Sequence, residues 1–207
     1  MNNTFLARLD WRFATKKFDA TKKLTSETLA EILRAVRFAP TSYGLQPYHV
    51  FVVTDPDLRA KLRAVSYDQA QVTDGAVLLV YCARTDLRAR VDGLFDLMSG
   101  GDANILSQFA GYKGMMEGTM DAHMASNNAF AWASKQAYIG LGFGLAAAAE
   151  LGVDACPMEG FLPGEVDKIL DLPPHMKSVA YTALGYRASE PEHEKVRFPE
   201  SDLFTMR

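Results

Sequence analysis

The sequence predicts an α+β fold built on a small sheet. Apolar residues recur at helical spacing over several long stretches, only three short runs have strand character, and the two kinds of segment alternate irregularly rather than as a regular βαβ series.

The elements follow in chain order. Leu29, Ile32, Leu33, Val36 and Ala39 form the stripe of an amphipathic helix, with Thr25 as its N-cap, Glu27 in the first turn and Pro40 stopping it at Ala39. His49 to Thr54 is a short β-branched and aromatic run and reads as a strand. Asp55-Pro56 opens a short helix carrying Leu58, Leu62 and Val65. Ala76 to Cys82 is continuously apolar, a strand expected to be buried on both faces. A helix from Leu87 to about Met98 is broken by Ser99-Gly100-Gly101.

Between Gly111 and Gly118 the glycines interrupt the apolar pattern, and the sequence leaves that segment open between a mobile lid and regular structure. Asn127 to Leu151 reads as the longest helix. Its Gly140, Gly142 and Gly144 each cost roughly 1 kcal/mol of helix propensity, which close passage of another backbone would offset. Ser178 to Tyr186 is the third strand. The polar tail after Arg187 has the composition of a disordered segment, yet Phe198, Leu203 and Phe204 favour a docked arm.

Composition excludes several classes. The 207 residues suit one domain, and the net charge of −3, from 22 Lys+Arg against 25 Asp+Glu, lacks the basic excess of a nucleic-acid binder. Lys22 and Lys23 read as a solvated face. Cys82 and Cys156 have no CxxC spacing, so no disulfide framework is expected and a reducing, cytoplasmic setting fits. The opening Met1 to Arg8 has no long apolar run, so no leader is expected. Ala137 to Ala149 falls short of the roughly 20 residues needed to span a bilayer, so no membrane span is expected. The four histidines are isolated from one another and from the cysteines, so no metal site is expected. GxGxxG, GxxxxGK[ST] and GxSxG are all absent.

Four segments carry the chemistry. They are Trp11-Arg12-Phe13-Ala14-Thr15-Lys16-Lys17-Phe18-Asp19, Ala39-Pro40-Thr41-Ser42-Tyr43-Gly44-Leu45-Gln46-Pro47, Pro157-Met158-Glu159-Gly160-Phe161, and the late pair Lys195 and Arg197. Taken singly each has a plain reading: Arg12 and Lys16 as decoration of a helix surface, Pro40 to Gly44 as a turn. Arginine matches phosphate geometry bidentately, and in an extended segment two basic residues four apart can reach different parts of one ligand.

Taken together, these segments resemble the FMN-dependent nitroreductase family from about Trp11 to Arg197. The resemblance implies a mainly antiparallel central sheet flanked by long helices, one domain spanning 1–207 with 188–207 as a C-terminal arm, and an intertwined homodimer. It implies FMN held by Arg12, Phe13, Ala14, Lys16, Asp68, Gln71, Pro157, Met158, Glu159, Gly160, Lys195 and Arg197, completed by Pro40, Thr41, Ser42 and Gly44 from the partner subunit. Arg12, Lys195 and Arg197 would take the phosphate, Lys16 the N1–O2 edge, and the Glu159 main-chain N–H would face N5. Tyr43, Tyr67, Phe109 and Tyr112 would line the substrate pocket. Met120 and Met124 are ambiguous between that pocket and core packing.

The activity implied is NADH- or NADPH-driven reduction of nitroaromatics, quinones or related electron-poor small molecules by ping-pong hydride transfer, with no side chain obliged to act as a general acid. Asp68 stands where relatives carry asparagine, Gln71 where some carry a second lysine, and Phe13 where some carry histidine. An ionised aspartate can only accept hydrogen bonds, which leaves open an FMN-binding protein for storage, sensing or transfer with slow turnover. A cofactor-free helical dimer is the third reading.

Overall fold

The computed structural model describes residues 4–207; Met1 to Asn3, part of the stretch read as lacking a leader, lie outside them. The elements are α1 (Thr4–Trp11), α2 (Ser26–Phe38), β1 (Tyr48–Val53), α3 (Pro56–Ala64), α4 (Gln71–Asp74), β2 (Val77–Arg84), α5 (Leu87–Ser99), α6 (Ala103–Gln108), α7 (Ala110–Ala125), α8 (Ala129–Glu150), β3 (Asp154–Met158), α9 (Pro163–Ile169), β4 (Met176–Gly185) and α10 (Glu200–Leu203). This is the expected α+β class, with the sheet ordered β1-β2-β4-β3 and each adjacent pair antiparallel.

Local chemistry accounts for the boundaries. The Thr25 hydroxyl caps α2 by accepting from the Thr28 N–H, and the Asp55 carboxylate does the same for Leu58 at the start of α3. Strand β2 is central and buried on both faces, so successive side chains feed two cores. Leu78, Val80 and Cys82 pack with Leu62, Cys156, Phe161 and Tyr181, while Leu79 and Tyr81 pack with Ile32, Val36 and Leu141 beneath α2 and α8. A third cluster joins Phe95 of α5, Met116 and Met120 of α7, and Trp132 of α8.

Two expectations are corrected, and the segment left open takes regular structure. The sheet has a fourth strand, β3; its Pro157 is tolerated because β3 is an edge, where a missing N–H breaks no inner ladder. Gly111 to Gly118 lies inside α7, whose buried Met116 and Met120 anchor it, so this segment is helix rather than an irregular lid; Met124 is partly exposed. Two glycines of α8, Gly140 and Gly144, make room for side chains of this chain rather than for another of its backbone segments, and a Cβ at Gly142 would meet nothing within 4 Å. A Cβ at Gly140 would lie 3.2 Å from the Tyr48 ring, and one at Gly144 would lie 3.0 Å from both the Tyr81 hydroxyl and a Val36 methyl.

That packing makes two glycines behave oppositely. Gly144→Ala is expected to destabilise by about 1–3 kcal/mol through overpacking, although alanine is the better helix former. Gly93→Ala in α5, where a Cβ meets nothing within 4 Å, is expected to stabilise by roughly 0.5–1 kcal/mol. Urea titration of both variants measures the contrast.

Candidate functional site

The chain leaves α1 at Trp11 and runs extended beside edge strand β3. Ala14 bridges Ala155 in parallel sense, the Thr15 N–H donates to the Ala155 carbonyl at 3.3 Å, and Phe18 bridges Arg187. An extended backbone alternates its side chains, so Arg12 and Lys16 share one side and Thr15 takes the other. Lys16 therefore lies well outside any helix, and Arg12 sits at the end of α1, where its N–H still donates to the Arg8 carbonyl at 2.9 Å.

Thr15 shows why the segment is held there. Its hydroxyl donates to Asp154 Oδ1 at 3.1 Å, and the same buried carboxylate receives Arg187 Nε at 2.7 Å and the Arg187 main-chain N–H at 2.8 Å. The Arg187 guanidinium stacks 4.5 Å above the Trp11 ring and reaches Glu190 at 2.8 Å. Asp154 thus ties together three pieces distant in sequence: residues 12–18, β3 and the start of the C-terminal arm.

The arm then returns past the end of α1. Lys195 Nζ donates to the carbonyls of Leu9 and Asp10 at 2.7 and 2.9 Å, satisfying acceptors that a helix C-terminus leaves open. This brings Lys195 and Arg197 against Arg12. Burial lowers the pKa of Arg12, and the charge of Arg197 lowers it further. Lys195 is lowered by burial and then by Arg12 and Arg197. Arg12 Nε is buried with no hydrogen-bond partner. The charges of Arg12, Lys195 and Arg197 thus act on one another beside an unpartnered guanidinium nitrogen, and a phosphate fits their charge and donor set.

On the same side of the extended segment, Lys16 Nζ lies 3.7 Å from Cys156 Sγ. Burial pushes the Cys156 thiol up, against the opposing influence of Lys16 and the largely buried Gln71. The turn that follows, Pro157 to Glu159, lines a cavity of about 310 Å³ with Tyr138, Leu141 and Ala180. Arg12, Lys16, Gln71, Lys195, Arg197 and the Pro157–Gly160 turn therefore gather along the β3 edge, with Ala14 beside them. Phe13 lines a cavity of about 200 Å³ between residues 13–17 and the start of the arm, together with Ala14 and Lys16.

The other expected residues lie elsewhere within the chain. Pro40, Thr41, Ser42 and Gly44 form a tight loop whose anchors are Gln136 of α8, which accepts the Ser42 N–H at 2.8 Å, and Arg37 of α2, whose carbonyl receives Gln46 Nε2. Tyr43, at φ 58°, packs on the third core cluster. Phe109 and Tyr112 surround Phe95, at centroid distances of 5.9 and 5.7 Å. Tyr67 is exposed, and Asp68 turns outward to pair with Arg63 Nε at 2.7 Å. Asp154 and Arg187, which hold the segment and the arm in place, were not legible in the sequence, since neither stands in a recognisable spacing. Among the described residues no group of three or more His, Cys, Asp or Glu side chains converges as a metal site.

A fold of this class is shared with known proteins. Residues 9–186 match the model of the nitroreductase family. A Staphylococcus epidermidis protein named "Putative NAD(P)H nitroreductase" is 35% identical over 99% of this chain and 97% of its own. Among solved structures, a nitroreductase-like protein of Streptococcus mutans superposes with a TM-score of 0.87 at 18% identity, covering 100% of both chains. An Exiguobacterium sibiricum protein described as a "putative nitroreductase in complex with FMN" gives 0.85 at 16% identity over 98% of this chain and 97% of that one. The chain belongs to the nitroreductase family and is an oxidoreductase.

Proposed function

We propose that the protein is an FMN-dependent oxidoreductase that draws on NADH or NADPH and reduces nitroaromatics, quinones or related electron-poor acceptors. The observation that carries this is the cluster of Arg12, Lys195 and Arg197 around the unpartnered Arg12 Nε. It fits the phosphate of FMN, the group named in the Exiguobacterium structure. Arg12 and Arg197 would hold the phosphate oxygens, with Lys195 beside them as a point charge. Lys16 and Gln71, which meet at Cys156, would face the pyrimidine edge of the ring, where the Lys16 ammonium favours negative charge. The Pro157–Gly160 turn would lie against the ring with the Glu159 main-chain N–H at N5. When bound, FMN supplies hydride acceptance from the nicotinamide and hydride delivery to the acceptor in alternating half-reactions. The whole chain works as one domain, with 188–207 as its arm.

A homodimer fits the surface. Phe5, Leu9, Ile139 and Phe143 line an open apolar cleft of about 700 Å³, and the arm beyond Lys195 exposes Phe198, Leu203 and Phe204. A second copy covering them would bring its Pro40–Gly44 loop and Tyr43 to this chain's site, with Tyr67, Phe109 and Tyr112 as pocket wall. No helix of the described residues is long and apolar enough to cross a membrane, and two free buried cysteines fit a cytoplasmic setting. The pairing of Asp68 with Arg63 weakens the storage reading, because that carboxylate is engaged outside the basic cluster, and leaves Gln71 as the departure that bears on it.

The visible spectrum of the purified protein tests the proposal, before and after anaerobic addition of NADH or NADPH. A flavin spectrum that bleaches promptly supports it, and steady-state assays then rank the acceptors. A flavin spectrum that persists favours storage or transfer; a colourless protein that FMN cannot reconstitute refutes the proposal.

A further inference from the structure

Two separate observations converge on Gln69, a residue outside every motif above. Its side chain crosses 91 residues of sequence to donate from Nε2 to the Gly160 carbonyl at 2.6 Å, and the same nitrogen donates to the Ser66 carbonyl at 3.1 Å. A Cβ at Gly160 would stand only 2.8 Å from that nitrogen, so any larger residue there would displace the Gln69 amide from its bond.

The backbone that aims Gln69 is unusual. Ser66 to Gln69 closes a turn through a Gln69 N–H to Ser66 carbonyl bond of 3.1 Å, and both central residues, Tyr67 and Asp68, have positive φ, 51° and 55°. Such a turn favours Gly, Asn or Asp; an exposed tyrosine there is strained. The Leu162 N–H donates to the Val65 carbonyl at 2.9 Å, so residues 65–69 and 160–162 are bonded at both ends. The strained turn is held by its surroundings, and its result is a side-chain amide seated on the Glu159–Gly160 turn.

We propose that Gln69 is the positioning residue of that turn: through the Gly160 carbonyl it holds the Gly160–Phe161 peptide, the unit that closes the turn, and so sets the environment of the flavin ring beside it. The inference rests on the FMN reading above, with this turn against the isoalloxazine. It adds a residue and a function for the Tyr67–Asp68 strain, neither of which touches the phosphate cluster.

Two experiments test it, the first without cofactor. In a double-mutant cycle on the apoprotein, Gln69→Ala and Gly160→Ala are each expected to lower the melting temperature, and the double variant to cost no more than the worse single, since shortening Gln69 makes room for the new Cβ. Strict additivity would overturn the proposal.

The second compares FMN-loaded Gln69→Met, which keeps the shape and removes the donor, with wild type. FMN affinity is expected to stay within about threefold because the phosphate contacts are intact. The flavin midpoint potential is expected to shift and bleaching by NADH to slow by about tenfold, the scale of one hydrogen bond. An unchanged potential with FMN bound would overturn the role of Gln69 alone. Failure of the wild-type apoprotein to bind FMN would overturn the underlying reading instead.

Discussion

Arg12→Ala is expected to weaken FMN binding roughly 10- to 100-fold while leaving the apoprotein at least as stable as wild type. The two halves have one cause. In the protein alone Arg12 makes no compensating bond through its buried Nε, and it faces Arg197 and Lys195, so folding bears its desolvation without a partner. Removing such a group is not costly, and relief of like-charge contact can offset lost packing. Binding is where the guanidinium acts, because charge-assisted hydrogen bonds are worth about 1.5–3 kcal/mol each. Calorimetric titration with FMN and thermal melting of the apoprotein measure the two halves. An apoprotein several degrees less stable than wild type would mean that Arg12 has a structural partner.

Asp154→Ala is expected to act in the opposite way, costing about 3–5 kcal/mol of stability. Its carboxylate is buried and accepts from Thr15, from Arg187 Nε and from the Arg187 N–H. Truncation leaves a partly buried guanidinium, a buried hydroxyl and a main-chain N–H without their acceptor. For a domain of this size, the melting temperature should fall by roughly 10 °C. FMN binding should weaken as well, because the strand carrying Arg12 and Lys16 and the arm carrying Lys195 are both fastened through Asp154. Limited proteolysis should cut the variant first near residues 188–195. Asp154→Asn, which keeps one acceptor, should lose less; equal losses from both variants would point to charge rather than hydrogen bonding.

The main elements were legible wherever one periodicity dominated. The i, i+3, i+4 stripe from Leu29 to Ala39 marked α2, and the unbroken apolar run at Ala76 to Cys82 marked the central strand. Strand β3 was not legible, because five residues with a proline and a cysteine carry no alternation, and its character comes from pairing with β4. Helix α7 was obscured by glycines on its exposed side, while the buried Met116 and Met120 that hold it look unremarkable in sequence. At the site, Arg12, Lys16, Lys195 and Arg197 stood in recognisable segments. Asp154, Arg187 and Gln69 did not, since they act across 33 to 139 residues of sequence and only folding brings them to their partners.

The most direct measurement is the affinity of the wild-type apoprotein for FMN against riboflavin, which differ only in the phosphate. If Arg12, Lys195 and Arg197 form the phosphate site, FMN binds about 100-fold more tightly or better, and added salt narrows the gap. Equal affinity for the two, or no binding of FMN at all, would contradict the assignment of this cluster.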